Sequence, residues 1–172
     1  MPNWCSNSLS IAGEENELKR FMEVGRSPDK HLDTLVFVPY PPEQKEIDDK
    51  LAEWAKIRNE SVNSWGDMSK PKDWFNQGGL DWCINNWGTK WGICDCGPGA
   101  LLNGTLSYGF SSAWSPPDKV VIAMGKLFPK LNFTLTYEET GDAFQGELII
   151  NNGEVISDET WDYEEPEEDE DE

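Results

Sequence analysis

Histidine and basic side chains are the scarce components of this chain. It has one His and 14 Lys and Arg against 33 Asp and Glu, for a formal net charge of −19. His31 stands alone in a polar stretch, with no second imidazole to share a metal or a proton relay. A chain this acidic is repelled by phosphate backbones, so direct nucleic-acid binding is not expected. No run approaches the ~20 apolar residues of a membrane-spanning helix. The opening Met1-Pro2-Asn3-Trp4 has neither the basic start nor the apolar core of a secretory signal. The expected location is therefore the cytoplasm, of a host cell if the gene is mobile. The four cysteines (Cys5, Cys83, Cys94 and Cys96) are expected as free thiols there. Cys94-Asp95-Cys96 lacks the two-residue gap of a zinc knuckle, and no second pair accompanies it, so neither metal nor cofactor is expected. No nucleophile elbow, phosphate-binding glycine loop or zinc histidine motif is present.

What is present is enough for one packed domain. The chain has 172 residues, 37% hydrophobic and 12% aromatic, with nine Trp. Large rings bury much area each, so few are needed to hold a small core. The charge is uneven. Residues 158–172 hold 11 acids and no base, leaving 22 acids against 14 Lys and Arg in the rest, about −8. The reading is a domain over residues 1–157 and an acidic, disordered tail over 158–172.

Apolar periodicity orders the domain. In residues 3–12, Leu9 and Ile11 alternate with Ser8 and Ser10, the mark of a strand with one polar face. Residues 14–24 place Leu18, Phe21 and Met22 at helical spacing, with acids in the first turn. The β-branched run 34–38 reads as a second strand. Residues 43–59 read as an amphipathic helix with Ile47, Leu51, Trp54 and Ala55 on one stripe, and 60–72 as a loop. Residues 73–87 read as a helix in two pieces broken at Gly78-Gly79, the second burying Leu80, Cys83, Ile84 and Trp87. Gly88 is then a left-handed cap. Residues 90–96 read as a strand, Gly97-Pro98-Gly99 as its turn, and 105–111 as the return, with Leu106, Tyr108 and Phe110 on one face. Ser115-Pro116-Pro117-Asp118 has the form of a helix start, with Ser115 as N-cap, and Val120, Val121, Met124, Leu127 and Phe128 as its stripe. Leu131, Phe133, Leu135 and Tyr137 alternate with polar residues in a further strand. Residues 147–150 and 154–157 flank Asn152-Gly153, a type I′ hairpin signal.

Setting aside a helical insertion at about 43–88, the order is βαββαβ. The expected class is α+β: a ferredoxin-like antiparallel sheet with two helices on one face, an extra C-terminal hairpin and the acidic tail. The word describes a fold, and four scattered cysteines do not suit an iron–sulfur cluster.

Four motifs in order carry a family resemblance: Met1-Pro2-Asn3-Trp4-Cys5, Trp87-Gly88-Thr89-Lys90-Trp91, Ala113-Trp114-Ser115-Pro116-Pro117 and Thr136-Tyr137-Glu138-Glu139. Together they resemble the YubB-type ferredoxin-like proteins of phages and plasmids. The likeness spans most of the chain and matches the insertion and tail less clearly. It implies a ferredoxin-like fold and a mobile-element setting. It brings no established activity and no catalytic residue.

The densest chemistry lies in residues 82–91, which hold three Trp with Asn85, Asn86, Thr89 and Lys90 between them. One reading makes Trp82, Trp87 and Trp91 core residues. The other lines a surface groove with Trp87, Lys90, Trp91 and Trp114, rings with few polar groups being what an interface or ligand pocket needs. Glu138 and Glu139, with Asp142 after them, are the carboxylates nearest by strand order. They would supply acid–base groups, a cation site, a salt bridge to Lys90 or simply a solvated loop. The leading expectation is a non-catalytic phage or plasmid protein that binds and inhibits a host protein, an antiviral defence component being the natural target. It would act by surface occlusion and partly by mimicking nucleic-acid charge, so a nucleic-acid-binding partner fits. The alternatives are a small-ligand domain that sequesters a nucleotide, and a ferredoxin-like enzyme such as an RNase, which the scarcity of cations disfavours.

Overall fold

The structure is a computed structural model that describes residues 3–43 and 80–163. The helix expected at 43–59, the loop at 60–72, the break at Gly78-Gly79 and the tail beyond residue 163 lie outside the described residues. The elements are β1 (Trp4–Ala12), α1 (Glu15–Gly25), α2 (Thr34–Phe37), α3 (Leu80–Trp87), β2 (Ala100–Leu102), β3 (Thr105–Ala113), α4 (Asp118–Leu127), β4 (Asn132–Glu139), β5 (Phe144–Asn151) and β6 (Glu154–Asp162).

The strands form one antiparallel sheet in the order β2-β3-β1-β4-β5-β6. Read as β4-β1-β3-β2, the first four are the ferredoxin-like core, and β5-β6 widens it beyond β4. Strict alternation makes one face apolar: Leu9 and Ile11 of β1, Leu106 and Tyr108 of β3, Leu135 of β4 and Leu148 of β5 are all buried. The helices cover this face. Phe21 of α1 sits at the centre, stacked on Phe37 at 5.3 Å and edge-on to Phe128 at 5.1 Å and Phe133 at 5.7 Å. The opposite face carries Ser6, Ser8, Ser107, Gly109, Thr136 and Glu147, and among the described residues no helix packs on it.

Several expected elements are corrected. Residues 34–37 form a helix, because the Asp33 carboxylate accepts the Leu35 N–H at 3.0 Å and i,i+3 spacing buries Thr34 and Phe37 together. Packing under Phe21 overrides β propensity there. Residues 90–96 are not a strand. They touch the sheet through one bridge, Cys94 to Ser111, with both hydrogen bonds at 2.8 Å. The second core strand is instead β2, joined to β3 by Asn103-Gly104 with φ of 51° and 75°, a type I′ turn placed later than the glycine pair at 97 and 99. The turn expected at Asn152-Gly153 is present, with φ of 52° and 80°.

Helix α4 starts at Asp118 rather than after Ser115, whose hydroxyl is engaged elsewhere. Ile84 and Leu127 lie outside the buried faces assigned to them, at 38% and 55% exposure, whereas Cys83, Trp87, Val120 and Met124 lie within them. Residues 158–162, expected in the tail, pair with β5 as the end of β6. Among the described residues that strand is the long outer edge of the sheet. Its exposed apolar residues Val155, Ile156 and Trp161 are interspersed with Glu154, Asp158, Glu159 and Asp162.

Candidate functional site

At the carboxyl end of β3 the chain turns sharply through Trp114, which has φ +70°, a left-handed backbone that a bulky residue rarely adopts. Three segments hold it there. The Trp114 N–H donates to Asn3 O at 2.9 Å. The Thr89 hydroxyl, fully buried, donates to Ala113 O at 2.8 Å. The Ser115 hydroxyl donates to Gly88 O at 2.7 Å, and that of Ser112 to Ser115 O at 2.7 Å. Beneath them Asn7, buried on β1, donates from its amide nitrogen to Ser112 Oγ at 2.8 Å and Cys5 O at 2.9 Å. Gly88, with φ +87°, lets the chain pass Asp118 so closely that a Cβ there would collide with the Asp118 carboxylate.

This clamp presents an aromatic corner. Lys90 Nζ lies 3.9 Å from the centroid of the Trp114 ring and 5.0 Å from that of Trp91. Trp91 meets Trp4 edge-on at 6.2 Å. Trp4 and Trp114 are each two-fifths or more exposed, and Lys90 and Trp91 are half-buried. An ammonium over indole faces gains cation–π attraction while keeping its charge at the surface.

Of the six expected site residues, the structure brings three together: Lys90, Trp91 and Trp114. Trp87 is elsewhere and structural. It is buried, its indole N–H donates to Val38 O at 2.9 Å, and it packs edge-on to Trp82 at 5.2 Å. Glu138 and Glu139 do not act as a pair, because successive strand residues face opposite sides. Glu138 is exposed on the open face. Glu139 is 1% exposed and accepts the N–H groups of Gly141 at 2.8 Å and Asp142 at 2.5 Å, which fixes the β4–β5 turn. No ion pair joins either carboxylate to Lys90. Sequence reasoning missed Trp4 as a member of the corner, and the Asn7–Ser112 link beneath it. The alternation on β1 puts Trp4 on the polar face, which was a usable signal.

Burial shapes the titration of the neighbouring groups. It pushes the Cys5 thiol up to about 12, with Glu139 and Glu138 adding to the effect, and so makes it a poor nucleophile. Burial also raises the Asp118 carboxyl above its ordinary value. His31 borders an open groove with Glu23, Arg26, Asp29 and Lys30, remote in sequence from the aromatic corner. No group of three or more His, Cys, Asp or Glu among the described residues is placed to hold a metal ion.

Residues 86–172 match the model of a family described as the ferredoxin-like domain in Api92-like protein. Among solved structures, the crystal structure of protein api92 from Yersinia pseudotuberculosis is similar to this chain. The two share 10% identity over 96% of this chain and 99% of that one, with a TM-score of 0.57, a likeness that shows the fold. No curated protein is significantly similar in sequence.

Proposed function

The chain belongs to the family of the ferredoxin-like domain in Api92-like proteins, and from that premise we propose that it is a non-catalytic interaction protein of a phage or plasmid. It binds a host protein, an antiviral defence component by preference, and inhibits it by covering a working surface. The observation that carries this reading is the exposed corner of Trp4, Trp91 and Trp114 around Lys90, held rigid from below by buried hydrogen bonds. Clustered Trp side chains with one fixed charge are the usual anchors of a protein interface. A rigid anchor loses little side-chain entropy on association. The mobile-element setting rests on the four sequence motifs. Charge mimicry of nucleic acid rests on the net charge of −19, which favours partners with a basic surface.

Capture from bacterial host lysate on the immobilised chain, at low and high ionic strength, tests the proposal. The expected result is a partner retained by the wild type and lost by Trp114→Gly. Glycine accepts the positive φ, so that variant removes the ring while keeping the turn. Retention of the same partner by Trp114→Gly and Lys90→Ala alike refutes the corner as the anchor. Retention undiminished at high salt refutes the charge component.

A further inference from the structure

No Lys or Arg falls within any of the six strands, while seven acids do, and all seven are on β4, β5 and β6. Glu138, Glu147 and Glu159 point to the open face, set by their register. One row runs Ser111, Ser6, Glu138, Gln145, Trp161, and the next Gly109, Ser8, Thr136, Glu147, Glu159. The floor is therefore flat and small on the β3–β1 side and acidic on the β4–β6 side. A groove of about 330 Å³ crosses it, lined by Ser8, Thr136, Glu138, Gln145, Glu147 and Trp161. Glu147 and Glu159 stand directly opposite one another across β5 and β6. Like charges in that position repel and destabilise a sheet, and a cation between them relieves the repulsion. Trp161 at the end of the adjacent row is 47% exposed and offers a ring face within the same groove.

We infer that this sheet face, on which no helix packs among the described residues, is the seat of a basic, arginine-bearing segment of the partner protein. Its guanidinium groups lie between Glu138, Glu147 and Glu159 and stack on Trp161. Charge selects this occupant. A second copy of the chain would bring the same carboxylates to the face, and residues 164–172 are acidic as well. Arginine is favoured over lysine because its planar group both bridges carboxylates and stacks on indole. The inference deepens the proposed function and rests on it for the existence of a protein partner. It places the electrostatic half of the contact on β4–β6, on the same polar face that carries Trp4 of the corner.

The test is titration of the full chain with a nine-residue polyarginine peptide and its polylysine counterpart. The variants are Glu138→Gln/Glu147→Gln/Glu159→Gln, Trp161→Ala, and a charge-matched control, Glu14→Gln/Glu23→Gln/Asp95→Asn, altered away from the face. Polyarginine should bind the wild type more tightly than polylysine. The face variant should weaken it by about tenfold or more, and Trp161→Ala should remove the preference for arginine. The control should retain most of the affinity. Equal losses in face variant and control overturn the inference, because net charge alone then explains binding. Self-association of the wild type that weakens in the face variant also overturns it, in favour of a second copy. Loss of lysate capture in Trp114→Gly with unchanged peptide binding supports both readings separately. Capture that is indifferent to the face variant overturns this one alone.

Discussion

Asn7 shows how the site depends on single side chains. Its amide nitrogen reaches Ser112 Oγ and Cys5 O, and its side chain is buried in β1. Truncation removes both bonds and leaves a small polar void. Asn7→Ala is expected to lower unfolding stability by about 2–3 kcal/mol, read as a fall in the urea midpoint. Because Ser112 in turn holds Ser115, the exposed Trp corner should loosen as well, seen as a change in Trp emission without loss of the far-ultraviolet spectrum. At this scale the sequence singled out Lys90, Trp91 and Trp114, which the structure places side by side. It was not readable for Asn7, and for Trp4 it gave only the alternation that sets the ring on the polar face. What joins the two to the corner is a cross-strand register that pairs Trp4 with Ala113 and Cys5 with Ser112, which no local spacing encodes. Trp87 misled for a related reason: a large ring beside a glycine cap looks the same in sequence whether it faces solvent or, as here, the Val38 carbonyl.

Among the elements, the hairpin β2–β3 is the one on which the core topology depends. Its turn needs a positive φ at Gly104, where an added Cβ meets nothing closer than Gly13 O at 3.7 Å. The penalty of Gly104→Ala is therefore purely conformational. It should destabilise by about 1 kcal/mol in a denaturant titration, with the unfolding slope unchanged. Strands with strict alternation were legible: β1, β3 and β4 appear where their Leu, Ile and Phe periodicity places them. Two elements were not. Thr34–Phe37 has strand-forming side chains, yet a cap at Asp33 and burial against Phe21 make it helical. Residues 90–96 look extended, but Gly88 and Thr89 are already committed to the β3 end, and the edge position belongs to β2. The Asn103-Gly104 dipeptide was the available signal for that edge.

For the whole molecule, buried thiols and phenols set an alkaline limit. Burial pushes Cys5 to about 12, Cys96 to about 11 and Tyr108 to about 12. Below about pH 9 these groups are protonated in both folded and unfolded chains, so their contribution is fully present. Above it the unfolded chain releases protons that the native state retains, and stability falls as pH rises toward 12. Denaturant midpoints should hold nearly level from pH 7 to 9 and fall by pH 10.5, and Cys5→Ser should reduce the fall. The excess of acid was legible from composition, but its concentration on β4–β6 required the pairing order. The two outer strands of the sheet have a consequence for crowded solutions. At one end β2 has only three residues to template against, and at the other β6 is lined with carboxylates. A short β2 and a β6 interspersed with charge are therefore expected to keep the sheet from stringing into fibres at high concentration near neutral pH, and light scattering of concentrated solutions checks it.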